Sequence, residues 1–161
     1  MDATHFETAL RPLLSRSAGY AFAMLRERKE AEDAVQQAAL RAWERRGQID
    51  DERPFKAWWF GILRNHCLDR LRARKRAPMS VALDRAELSE PADESALDRR
   101  ALTAAMEQLP DGQRDVLRLR YFGEFSYQEI SEILRIPSGT VMSRLHLARK
   151  ALAQLIRTEN A

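Results

Sequence analysis

The sequence contains a single cysteine, Cys67. That excludes an internal disulfide and argues against a cysteine-based zinc site. His5, His66 and His146 lie far apart in the sequence and show no ligand spacing, so no metal site is expected. Six glycines and six prolines in 161 residues are too few for a low-complexity or collagen-like chain. No apolar run approaches the ~20 residues a membrane helix needs. Met1 to Phe6 carries Asp2 and His5 instead of the basic-then-apolar pattern of a signal peptide. No glycine-rich phosphate loop and no nucleophile motif occurs, so neither a catalytic residue nor a cofactor is expected. The expectation is a soluble, cytoplasmic, non-enzymatic protein. Its length allows one domain or two small ones, and an apolar content of 45% is enough for a core.

The net charge of +3 hides an asymmetry. Residues 1–76 carry 16 basic and 11 acidic side chains, residues 77–100 carry 3 and 6, and residues 101–161 carry 8 and 7. No acid occurs between Ile133 and Thr158, a stretch that contains Arg135, Arg144, Arg149, Lys150 and Arg157. Two basic zones flanking an acidic middle suggest a polyanionic partner, of which nucleic acid is the usual one. Solvated arginine faces explain charge alone equally well.

Periodicity reads as helix nearly throughout. Phe6, Leu10, Leu13, Leu14, Ala21, Phe22 and Leu25 keep helical spacing, with breaks expected at Pro12 and Gly19. From Glu30 to Arg46, Val35, Ala38, Ala39, Ala42 and Trp43 recur at three and four. Asp51 or a neighbour is a candidate cap for a helix from Pro54 to Arg76, with a stripe of Phe55, Trp59, Leu63, Cys67 and Leu71. Trp58, Trp59 and Phe60 are consecutive, so burial of all three on one helix face is not expected. Residues 77–94, with Pro78, Pro91 and scattered acids, read as a linker that leaves room for a short helix around Val81 to Leu88.

After the linker, a helix containing Leu97, Ala101, Ala104, Ala105 and Leu109 stops at Pro110, and another carries Val116 to Tyr121 as far as Gly123. Ser126 with Glu129 three residues on is a capping-box pattern. A short helix follows to Leu134, then a turn, then a last helix with the stripe Val141, Leu145, Ala148, Leu152 and Leu155. Helix, short turn, helix is the pattern of a helix-turn-helix. Counting 100° per residue from Val141 puts Ser143, His146 and Lys150 opposite the stripe, Met142 and Leu147 at the edges of that face, and Arg144 and Arg149 on its flanks. Flanking arginines for phosphates and short polar residues for base edges are what a major-groove helix needs. An ordinary helical hairpin fits the periodicity equally well, and the acid-free stretch lowers its weight.

Residues 126–134 (SYQEISEIL), 136–141 (IPSGTV) and 143–152 (SRLHLARKAL) resemble region 4 of an extracytoplasmic-function sigma factor. The lead-in at 109–121 (LPDGQRDVLRLRY) is similar to that family's preceding helix. Residues 31–43 (AEDAVQQAALRAW) resemble its region 2.2. Residues 55–65 (FKAWWFGILRN) and 68–72 (LDRLR) resemble regions 2.3 and 2.4. The segments stand in the family's order and cover nearly the whole chain. The resemblance implies an all-α fold of two small helical domains joined by a flexible linker: region 2 over 1–76, linker over 77–95 and region 4 over 96–161. No chain remains for the additional regions of larger sigma factors.

The resemblance also implies a function and partners. A factor of this family binds core RNA polymerase as a monomer, directs initiation at a promoter, and is commonly held inactive by an anti-sigma factor, with no membrane insertion. Core polymerase would dock on Asp33, Gln36, Gln37 and Arg41, with Trp43 either anchoring the edge of that face or joining the core. The −10 element would be met by Gln48 in the loop that receives a flipped base, and by Trp58, Trp59, Arg64, Asn65, Asp69, Arg70, Arg72, Arg74, Lys75 and Arg76. Strand opening needs captured bases and a basic track for their backbone. Asn65 suits a base edge, whereas Asp69 would take a cytosine amine or brace an arginine. The −35 element would meet Ser138, Thr140, Met142, Ser143, Arg144, His146, Leu147, Arg149 and Lys150.

The chain departs from the family in three places. Gln37 replaces a usual glutamate. Met142 and Leu147 stand where basic residues are common. Arg135 stands where the turn usually has a small residue, so a positive φ there would cost roughly 1 kcal/mol. Leu147 has two readings: packing against the domain's flank or an inhibitor, or contact with a thymine methyl. Two other functions remain as competitors, a dimeric repressor or activator using the helix-turn-helix alone and a helical docking adaptor. The first leaves the region 2 match unexplained.

Overall fold

Asp2 opens the first helix by accepting the His5 N–H at 2.9 Å. The computed structural model describes residues 1–49, 52–76 and 94–159, with the side chains of 94–99 and 159 left aside. The proposed Asp51 cap, the possible short helix around Val81 to Leu88 and residues 77–93 of the linker lie outside the described residues. Among those described, α1 spans Ala3–Leu10, α2 Leu14–Leu25, α3 Arg28–Glu44, α4 Phe55–Arg76, α5 Glu94–Glu107, α6 Asp111–Leu117, α7 Tyr127–Leu134 and α8 Ser138–Glu159. Short 3₁₀ turns follow α1 and α3, and a π-helical turn, Arg118–Phe122, extends α6. No strand occurs among the described residues. α5 starts at Glu94, just inside the stretch assigned to the linker, a difference within the usual blur of helix ends.

The break expected at Pro12 is present as the 3₁₀ turn Arg11–Leu13. The break expected at Gly19 is not, because Gly19 stays helical within α2. The turn at Phe122 passes nearby, at a distance where a Cβ on residue 19 would make an ordinary contact with the Phe122 carbonyl oxygen, 3.8 Å away.

In the N-terminal half, α2, α3 and α4 pack together with α1 across one end. α3 contributes almost nothing but methyl groups, with Ala31, Ala34, Ala38 and Ala42 buried, so its neighbours approach closely. α4 supplies the bulk. Trp58, Trp59 and Phe60 are all buried, at 8%, 0% and 0% exposure, which overturns the expectation that one would be exposed. The reason is that α4 is covered on several sides. Trp58 lies against Phe55 on the α1 side. The Trp59 indole N–H donates to Ser17 Oγ of α2 at 2.8 Å, and Ser17 in turn donates to the Leu13 carbonyl at 2.7 Å. Phe60 meets Tyr20 of α2 and, at 4.5 Å, Phe125 of the C-terminal half.

The C-terminal half packs α6, the π turn and α7 around α8, with α5 alongside. The capping box at α7 is complete: Ser126 Oγ accepts the Glu129 N–H and Glu129 Oε1 accepts the Ser126 N–H, each at 3.1 Å. Ser126→Ala is expected to lower stability by about 1 kcal/mol, readable as a lower urea midpoint with an unchanged slope. Arg135 ends α7 at φ 56°, ψ 47°, in the left-handed conformation whose cost was weighed for that turn. The turn is stapled by Ser131, whose hydroxyl donates to the Ile136 carbonyl at 2.6 Å. Gly123 is required for close approach, since a Cβ there would stand 2.5 Å from the Phe125 ring. The buried residues of both halves form one continuous core.

Candidate nucleic-acid and polymerase interfaces

α7, its stapled turn and α8 form the helix-turn-helix. α8 buries Val141, Leu145 and Ala148 completely, which fixes its rotation. Met142, Ser143, His146, Leu147, Arg149 and Lys150 are exposed as the wheel count places them, with Met142 at 56% and Leu147 at 51%. Ser138 Oγ donates to Gln128 Oε1 at 3.2 Å and ties the start of α8 to α7. Thr140 is half-buried in the same first turn.

The two flanking arginines differ. Arg144 is half-buried, its guanidinium lying over Gly112, where a Cβ would stand 3.2 Å away. Arg149 Nε donates to the Tyr121 hydroxyl at 2.7 Å, with the guanidinium 5.6 Å from the ring centre. Hydrogen bonding to Tyr121 raises the Arg149 pKa further. Tyr121 was not a sequence candidate, because only the fold brings it to residue 149.

On α3, Asp33, Gln36, Gln37 and Arg41 form an exposed polar face, the arrangement expected for docking. Leu40, missed in the sequence, stands 57% exposed in the middle of it. Helical spacing from Gln36 and Gln37 was signal enough to find it. Trp43 is half-buried, edge-on to Phe6 at 5.4 Å and covered by the Arg46 guanidinium at 3.7 Å from its ring centre. It is thus both core and rim.

The basic end of α4 is not a row of solvated cations. Asp69 braces arginines, with Arg72 at 3.3 Å and Arg41 of the docking face at 3.9 Å. Arg74 pairs with Glu30 of α3. Arg70 donates to the Glu30 carbonyl at 3.4 Å and to His66 Nε2 at 3.3 Å. Burial, aided by Arg41 and Arg70, lowers the His66 pKa, so the imidazole is neutral and able to accept that bond. Burial likewise pushes the Cys67 thiol up to about 12, leaving it unreactive. Gln48, Asn65, Lys75 and Arg76 are exposed. Neither Trp58 nor Trp59 is available to stack on a base in this conformation.

Arg64 pairs across the molecule with Asp115 of α6 at 2.5 Å. Lys56 of α4 pairs with Glu129 of α7. Burial works against charge on Glu129, but Lys56 and the Ser126 N–H outweigh it and hold that carboxyl below its ordinary value. Sequence gave no signal for these pairs, whose members lie 51 and 73 residues apart.

Residues 9–77 match the family model described as Sigma-70 region 2, and residues 99–152 match that of Sigma-70, region 4. The chain is 36% identical over 138 residues to the ECF RNA polymerase sigma factor SigL of Mycobacterium tuberculosis, covering 83% of this chain and 78% of that one. It is 33% identical over 150 residues to the ECF RNA polymerase sigma factor SigW of Bacillus subtilis, covering 84% and 80%. Among solved structures it resembles the sigma factor RpoE in complex with the anti-sigma factor NepR from Bartonella quintana, with a TM-score of 0.70, 27% identity and coverage of 96% and 98%. The fold also matches CnrH in complex with the cytosolic domain of CnrY, with a TM-score of 0.73, 21% identity and coverage of 98% and 90%.

Proposed function

The chain belongs to the sigma-70 family as a factor of the extracytoplasmic-function type, and from that premise we propose which of its surfaces do the work. It is a transcription initiation factor that acts with core RNA polymerase on promoter DNA. Region 2 is assigned to residues 1–76, region 4 to 96–161, and the linker to 77–95.

The observation that carries the assignment is the rotation of α8. Val141, Leu145 and Ala148 of its apolar stripe are fully buried, so Met142, Ser143, His146, Leu147 and Lys150 are presented outward for the −35 element. The exposed face of α3 around Leu40 takes the polymerase. Asn65 reads a base near −10, while Lys75 and Arg76 hold phosphates. Asp69 serves as a brace for arginines instead of a base reader. The factor directs the polymerase's chemistry and supplies no catalytic group of its own. It works in the cytoplasm, where polymerase and promoter meet. None of the helices among the described residues is long and apolar enough to cross a membrane. An anti-sigma factor is its proposed inhibitor, supported by the relative of known structure that is held by one.

Run-off transcription with added core polymerase tests this reading. Promoter-specific transcripts that require both core and this chain are the expected result. A gel shift without core would favour a repressor, and neither outcome would favour an adaptor. Replacing Asp33 and Arg41 together by alanine is expected to weaken core binding roughly tenfold with the helical fold intact. Arg41 gives up only an exposed pair with Asp69, which contributes little to stability. Undiminished co-purification with core would move the docking face elsewhere.

A further inference from the structure

Two carboxylates of the C-terminal half are held against cations of the N-terminal half. Asp115 takes Arg64 at 2.5 Å, in a pair whose side chains are only 12% and 22% exposed. Glu129 takes Lys56 with one oxygen while the other completes the α7 cap. An aromatic cluster also joins the two halves. Phe125 is fully buried, edge-on to Phe60, with the cations of Lys56 and Arg16 at 5.0 and 5.6 Å from its ring centre. Tyr20 lies buried beside it, at 6.0 Å from Phe60.

This closed arrangement cannot read a promoter. Elements at −10 and −35 are separated by about 25 base pairs, or about 85 Å of duplex at 3.4 Å per pair. A compact chain of this length has a radius of gyration of about 15 Å. The two DNA-facing surfaces reach both elements only when the seam opens, and opening parts Arg64 from Asp115 and Lys56 from Glu129.

We infer that Asp115 stands in for a promoter phosphate: in the closed chain its carboxylate occupies the anion site of Arg64, and on opening the guanidinium passes to the DNA backbone near −10. The inference rests on the proposed reading of region 2. A guanidinium fork accepts a carboxylate or a phosphate with similar geometry, so the exchange replaces one anion by another. Without DNA, opening gives up that pair and exposes Phe60 and Phe125 to water, which keeps the free chain closed. With DNA in place, the freed Asp115 is repelled by the phosphates and reclosure is opposed. Glu129 on Lys56 is the second clasp of the same latch.

The test uses the full chain with core polymerase. Asp115→Asn keeps the shape and removes the charge. Glu129→Gln removes the second clasp while retaining a side chain suited to the capping box, and it keeps the inference testable if Asp115→Asn folds poorly. By small-angle scattering each free variant is expected to show a larger radius of gyration than wild type. Each should reach half-maximal promoter-specific transcription at a concentration at least about threefold lower. Adding Arg64→Ala to Asp115→Asn should then reduce transcription and flatten its salt dependence by about one phosphate.

Folded variants with wild-type dimensions and wild-type titration would overturn the latch. An Arg64→Ala change without effect in the Asp115→Asn background would overturn the handover, leaving Arg64 only as Asp115's partner. In both cases wild-type transcripts persist. Absence of transcripts from every version would instead remove the sigma-factor reading, and the inference with it.

Discussion

Trp59→Ala is expected to destabilise the protein by about 3–5 kcal/mol, the range for truncating a buried tryptophan. The indole is fully buried between α2 and α4, and its N–H completes a hydrogen-bonded chain through Ser17 to the Leu13 carbonyl. Alanine leaves a cavity and removes one partner of Ser17, so two costs add. Against a typical total of about 5–15 kcal/mol, that loss removes from a fifth to all of the stability. Core binding and −10 opening should then fall together as the unfolded fraction rises on warming. Urea unfolding followed by helical circular dichroism gives the magnitude. Trp59→Phe keeps most of the volume and loses the N–H, so it should cost distinctly less. A folded, core-binding Trp59→Ala protein that fails only at promoter melting would show that the indole leaves the core to meet a base.

The same residue shows where sequence reading stops. Most helix positions, the capping box at Ser126 and Glu129 and the exposed face of α8 were legible. Each depends on residues within one or two helical turns, where spacing and propensity act directly. Burial of the Trp58, Trp59 and Phe60 run was not legible. A helical wheel assumes one covered face, whereas α4 is covered by α1, α2 and the C-terminal half together. The seam was invisible for a related reason. Arg64 reads as a phosphate ligand by type and position, and nothing near it in sequence points to Asp115. Long-range charge pairs carry no periodicity. Leu40 is a different kind of miss, because its spacing was sufficient and only its apolar character drew attention away from a face read as polar.

Leu147→Arg is expected to change which −35 sequences the protein selects. Leu147 and Met142 stand exposed on the outward side of α8. In the major groove an apolar side chain has a single specific base partner, the thymine C5 methyl. An arginine instead donates two hydrogen bonds to guanine O6 and N7. Wild type is therefore expected to favour thymine at the position under Leu147. The variant should lose that preference and gain one for guanine at the same or a neighbouring step. Each preference is worth about 1–3 kcal/mol, roughly 5- to 150-fold between bases. The added charge should also steepen the salt dependence by about one phosphate if it reaches the backbone instead. Selection of bound −35 sequences by the two holoenzymes separates these outcomes. Replacing the thymine by deoxyuridine removes only the methyl, and should weaken wild type while leaving the variant unaffected. Identical selections and equal responses to deoxyuridine would place Leu147 outside the DNA interface.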